Sequence, residues 1–182
     1  MSRVPEIDPE ALTAEQRRVY DTIVAGPRGR VRGPLAIWLQ RPDLADRAQA
    51  LGRYCRYDSS LPPRLSELAI LVTAKVWGAE FEWYAHAPLA AEGGLSDAAI
   101  EAIRTGAEPG FAAEDEQVVY DVARAMNAER RLSQPLYDRA VAVLGLGGLV
   151  DLIGVLGYYS LVSMTLNAFE VDLPDGTPPQ LG

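Results

Sequence analysis

The chain has one histidine, His86, standing four residues after Glu82 and three after Trp83. On a helix, positions i and i+4 share a face, so the carboxylate of Glu82 can orient the imidazole or stabilise its charge. A carboxylate neighbour raises the pKa of histidine and suits it to move a proton near neutral pH. Glu67 lies on the preceding helical stretch. A break at Gly78 lets the two helices fold back and bring Glu67 to the same cluster. Glu80 falls on a different face from Glu82. The chemistry such a cluster supports is general acid/base catalysis, with His86 as the acid or base, Glu82 as its partner and Glu67 in support. A surface or partly buried structural pair is the competing reading of the same spacing.

Residue counts narrow the alternatives. A single cysteine, Cys55, allows no intramolecular disulfide, C-x-x-C redox pair or cysteine-rich zinc site. One imidazole excludes any metal site built on two, and one histidine with carboxylates is too generic to imply a metal. No cofactor and no metal are therefore expected. The charge sum is 17 − 25 = −8, a poor match to a phosphate backbone, so no nucleic-acid partner is expected. Lys75 is the only lysine; every other basic residue is arginine. Arg53, Arg56 and Arg64 are candidates to clamp a substrate carboxylate in bidentate fashion. Tyr54, Tyr57, Trp83, Tyr158 and Tyr159 are candidate pocket aromatics. Asn167 is a polar residue in an otherwise apolar helix and must find a partner. From these, Trp83, Arg53, Tyr57 and Asn167 are the expected substrate-binding set.

The elements that hold these residues read as helices throughout. Thr13-Ala14-Glu15-Gln16 is a capping box that opens a helix to about Ala25, and Gly26-Pro27-Arg28-Gly29 closes it. The basic stretch from Arg28 to Gly33 reads as a solvated or lid loop. Pro34 opens a short helix over Leu35 to Gln40. Pro42 sits at a first helical position for a helix from Asp43 to about Tyr57, with Leu44, Ala48, Leu51 and Cys55 facing inward. Arg64 to Trp77 follows, with Leu65, Leu68, Ala69, Val72 and Val76 as its apolar face. Further helices span about Glu80–Glu92, Ser96–Thr105, Ala113–Ala128, Ser133–Leu144 and Leu149–Phe169. No segment alternates with period two. The fold class is all-α, with eight or nine helices in one domain over 1–182, and 172–182 as a loose proline-rich tail. At 182 residues such a chain buries roughly 70% of its unfolded surface and needs no staples.

The 18 residues from Leu152 to Phe169 carry no charge. That is the lower edge of a membrane span, but the glycines, hydroxyls and Asn167 within it favour a core or subunit-interface helix, and no membrane association is expected. The first 15 residues hold acidic residues and prolines without an apolar segment. With one cysteine, the cytoplasm is the expected location.

The window 61–95 also carries a resemblance. R-L-S-E-L-A-I-L, six residues, then G-A-E-F-E-W-Y-A-H, with Ala90 and Leu95-Ser96 beyond, resembles the core motif of the carboxymuconolactone decarboxylase family, which has the alkylhydroperoxidase D-like all-helical fold. The Gly33-Pro34-Leu35 stretch and the run Tyr158–Phe169 resemble the longer members, so the likeness extends over about 33–169. The resemblance implies two possible chemistries. The peroxidase branch uses a Glu, a C-x-x-C pair and a His. Here Glu67 and His86 take the Glu and His positions, while the cysteine positions fall on Ala79 and Glu82. The decarboxylase branch lacks the thiols and keeps Glu and His. It implies a probable lyase acting without a cofactor on a small carboxylated or lactone substrate, by decarboxylation, elimination or isomerisation. The resemblance further implies a homo-oligomer, trimeric or hexameric. A peroxidase-like oxidoreductase and a non-catalytic oligomeric binding protein are the alternatives.

Overall fold

Helix starts in this chain are set by side-chain caps and by proline. In the computed structural model, which describes residues 2–174 and 176–181, Thr13 and Gln16 close the expected reciprocal capping box at the head of α1 (Ala14–Ala25). Prolines open α2 (Pro34–Trp38) and α3 (Pro42–Arg53). Next come α4 (Pro63–Trp77), α5 (Glu80–Glu92), α6 (Asp97–Thr105), capped by Ser96, and α7 (Glu114–Ala128). The last helical run, α8 (Gln134–Ala168), begins at the Ser133 cap and is interrupted at Gly145, whose φ of 73° is not helical. This interruption is the expected separation of a shorter helix from a long apolar one. The described residues contain eight α-helices and no strand.

α4 is the centre. Its residues from Leu65 to Ala74 are buried without a break, the mark of a helix enclosed on every side. α5, α7 and α8 pack around it. Gly78 takes a left-handed conformation (φ 57°) and ends α4, so that α5 returns antiparallel along it. This hairpin puts Glu67 opposite the middle of α5.

Three expectations are corrected. In α3 the inward residues are Ala45, Ala48 and Gly52, whereas Leu44 and Leu51 are 46% and 47% exposed. The small side chains face inward because Gly52 meets Tyr158 of α8 at close range: a Cβ there would fall on the Tyr158 hydroxyl and on Arg28 Nη2. Gly52→Ala is therefore expected to cost about 1–3 kcal/mol through overpacking; a denaturation midpoint equal to that of the wild type would refute this. Secondly, α3 does not run on to Tyr57 as an α-helix. Residues Tyr54–Asp58 form a wider π-helical turn, in which Ser59 N–H donates to the Tyr54 carbonyl at 2.9 Å. Thirdly, Val76 is 55% exposed and is no part of the α4 core face.

The described residues beyond α8 form no helix, as expected for their prolines, but Gln180 and Leu181 are fastened. Gln180 and Leu181 N–H groups donate to the Glu80 carboxylate at 2.7 and 2.9 Å. Lys75 Nζ and Arg104 Nη1 donate to the carbonyls of Leu181 and Gln180. Asp175 and Gly182, at the ends of the expected loose stretch, lie outside the described residues.

α8 is the one helix among the described residues long and apolar enough to cross a membrane. Its inner face (Leu152, Val155, Tyr159, Val162, Leu166) is buried in the core, while Leu146, Val150, Ile153, Leu161 and Met164 form an exposed apolar stripe.

Candidate active site

α4 presents Glu67 and α5 presents Glu82 and His86 to one point. His86 Nδ1 lies 2.5 Å from Glu67 Oε2, and Nε2 lies 2.8 Å from Glu82 Oε1. All three residues are under 8% exposed. The imidazole is thus held between two carboxylates, one from each helix of the hairpin. Burial alone would lower its pKa; the charges and hydrogen bonds of Glu67 and Glu82 outweigh that and raise it to about 9. At neutral pH His86 is an imidazolium donating from both nitrogens. Tyr159 of α8 stands edge-on to the ring, 5.1 Å between centroids.

Glu82 and His86 form the floor of a cavity of about 250 Å³, with Glu67 behind the imidazole. Its wall is cationic: Arg28, Arg30 and Arg32 from the loop before α2, and Arg56 from the π-helical turn. Arg56 has no carboxylate partner among the described residues, and its Nε is buried without a hydrogen bond. Its guanidinium lies 5.1 Å from the centre of the Tyr57 ring. Burial lowers its pKa, but Tyr159, Tyr57 and the two glutamates raise it further. Arg32 is lowered by burial and by the neighbouring Arg30. Four guanidinium groups around one cavity make a receptor for anions. Tyr57, Tyr158 and Tyr159 also line it, beside apolar side chains such as Leu35, Phe81 and Val162.

The sequence-predicted residues thus divide. His86, Glu82, Glu67 and Tyr57 come together. Trp83 is 1% exposed and sits in the core, outside the cavity lining. Arg53 points outward and pairs with Asp58 at 3.5 Å beside a separate cleft. Asn167 finds its partner in the Trp77 carbonyl, 2.7 Å away, a link between α8 and the end of α4. Among the candidate clamps, Arg64 is taken by Asp115 and Glu116, each at 2.7 Å, and only Arg56 faces the cavity. Tyr54 instead donates to Asp151 at 2.6 Å. The loop arginines were not expected in the site. The signal for them is the alternation R-G-R-V-R over 28–32, which in extended chain sends every second side chain the same way. Cys55 is 2% exposed, and burial pushes its thiol up to about 11, so it holds no thiolate near neutral pH.

Residues 42–125 match the model of the Carboxymuconolactone decarboxylase family. This segment belongs to that family. It includes Glu67, Glu82, His86 and Arg56, whereas the arginine loop and the two α8 tyrosines lie outside it. Solved structures with the same fold include an alkylhydroperoxidase AhpD core, an uncharacterized peroxidase-related protein from Ralstonia eutropha JMP134. It is 14% identical, with a TM-score of 0.78, over 96% of this chain and 93% of that one. An uncharacterized peroxidase-related protein from Silicibacter sp. TM1040 is 13% identical, with a TM-score of 0.76, over 100% and 96% of the two chains. The carboxymuconolactone decarboxylase segment therefore sits in an alkylhydroperoxidase D-like fold. No curated protein matches the chain in sequence.

Proposed function

We propose that the chain is an enzyme, a lyase, that moves protons on a small carboxylated or lactone substrate without a cofactor, by decarboxylation, elimination or isomerisation. One observation carries this reading: the His86–Glu82 pair, backed by Glu67, and four arginines face the same cavity. The arginines fit the substrate's carboxylates and the negative charge that grows as a carbanion or enolate forms. The cluster supplies and accepts protons beside them. A cavity near 250 Å³ suits a small molecule.

The test is turnover of a panel of carboxylated lactones and β-keto acids, followed by carbon dioxide release and by deuterium incorporation from D2O. A peroxide assay with a dithiol reductant runs alongside, because the two solved relatives are named peroxidase-related. Turnover of a panel member without peroxide reduction supports the proposal. Thiol-dependent peroxide reduction that disappears in Cys55→Ser would replace it with the oxidoreductase reading.

We further propose that the protein self-associates, as a trimer or hexamer, through the exposed stripe of α8. Leu146, Val150, Ile153, Leu161 and Met164 are between 37% and 62% exposed, a continuous apolar surface of the kind that marks subunit contacts. Ile153→Asp is expected to yield a smaller particle in analytical ultracentrifugation; an unchanged sedimentation coefficient would exclude this face.

A further inference from the structure

The imidazolium at the cavity floor has no nitrogen to spare. Nδ1 is engaged by Glu67 and Nε2 by Glu82, so a ligand meets a ring whose two N–H groups are already directed at carboxylates. Glu82 is differently placed. It lines the cavity, which Glu67 does not, and its ion pair with His86 uses Oε1, leaving Oε2 for a ligand. His86 lines the cavity too, but with both nitrogens engaged, so Glu82 Oε2 is the atom of the cluster left to meet a substrate.

Resting on the proposed proton-transfer function, we infer that Glu82 is the catalytic residue that exchanges protons with the bound substrate, and that His86 and Glu67 are positioning residues behind it. As a base, Glu82 takes a proton from a substrate carbon, and the C–H electron pair delocalises into the adjoining carbonyl. The same proton returns to a neighbouring carbon in an isomerisation. In a decarboxylation, the electron pair of the broken C–C bond stays on the substrate as carbon dioxide leaves. Glu82 takes the proton from Nε2 of His86 and delivers it to that carbon, and His86 recovers its proton from solvent. Throughout, His86 fixes the carboxyl plane of Glu82, and Glu67 fixes the imidazole. The charged and titratable groups that face Glu82 are Glu67 from α4, His86 from α5, Arg56 from the π-helical turn, Arg32 from the loop, and Tyr158 and Tyr159 from α8.

The single histidine makes the arrangement directly readable. In the intact protein with ¹⁵N-labelled histidine, NMR at pH 7 is expected to show both ring nitrogens protonated, with both protons slow to exchange with water. In Glu82→Ala the Nε2 proton alone should become fast-exchanging, since only that side opens to the cavity. A wild-type spectrum in which Nε2 lacks its proton, or exchanges it freely, overturns the inference, because His86 would then reach the substrate itself. The kinetic arm uses whichever panel compound the wild type turns over. Glu82→Gln should lower kcat by about 10³-fold with KM little changed, within the range for a lost general acid or base. Glu82→Asp should recover part of the loss. His86→Gln should lose only about 10- to 100-fold and move the limbs of the pH–kcat/KM profile, as loss of an orienting partner does. An inactive His86→Gln beside an active Glu82→Gln with an unaltered pH profile overturns the assignment. If the wild type turns over no panel compound, the proposed function fails on its own, and the NMR result still decides which group faces the cavity.

Discussion

Replacing His86 by leucine is expected to destabilise the fold by about 3–5 kcal/mol near neutral pH, the range for removing one partner of a buried ion pair. The variant leaves Glu67 and Glu82 buried, facing one another across the space the imidazolium held. The size of the effect depends on pH in a definite direction. The folded pKa of His86 is raised to about 9, above the unfolded value near 6.5. Its contribution is therefore fully present below about pH 6.5 and is lost as pH rises through about 9, amounting to roughly 3 kcal/mol. The gap between wild type and His86→Leu should accordingly be wide at pH 7 and narrow by pH 10. It should narrow again in acid, where protonation relieves the two carboxylates of the variant. Urea unfolding at pH 5, 7 and 10 checks this; a loss that is the same at pH 7 and pH 10 would show that the charge on His86 contributes nothing.

Arg56→Met is expected to weaken binding of a carboxylate-bearing ligand by about 10- to 100-fold, the equivalent of one charge-assisted hydrogen bond. No described side chain pairs with Arg56, so its hydrogen-bonding capacity is available to whatever enters the cavity. The loss should fall on KM, with kcat changed far less, because anchoring a carboxylate serves ground state and transition state alike. Arg56→Lys should recover only part, since an ammonium lacks the planar fork. Isothermal titration with succinate, followed by KM on a turned-over substrate, measures it; an Arg56→Met protein that binds succinate as tightly as wild type would remove Arg56 from the site. Arg53→Met, altered at a residue beside a separate cleft, is the matched control and should bind as wild type does.

The helices were legible because their ends are local events. A capping box at Thr13, prolines at 34 and 42, and serine caps at 96 and 133 act through a few neighbouring atoms, and the sequence carries them openly. The Glu67–His86–Glu82 cluster was legible for a related reason: Glu82 and His86 share one helical face, and Glu67 needs only the single turn at Gly78 to meet them. What escaped depended on partners distant in sequence. The inward face of α3 is set by Tyr158, more than a hundred residues on, and not by the larger leucines. Trp83 and Asn167 have types common in binding sites, but packing assigns one to the core and the other to the Trp77 carbonyl. The loop arginines alternate over 28–32, but that spacing names no partner, and only the folded chain brings them to the cavity of Glu82 and His86.

The π-helical turn at Tyr54–Asp58 makes Arg56 sensitive to chain length as well as to residue type. A helix rotates about 100° per residue. Removing Cys55 from that turn would leave every cavity side chain chemically intact, yet swing the Arg56 guanidinium away from the cavity it lines. Adding one elsewhere in the turn would bring a different side chain to the same position. The segment thus offers a route by which descendants of one ancestor could diverge in substrate preference through a single codon gained or lost, with the acid/base cluster on the α4–α5 hairpin inherited unchanged.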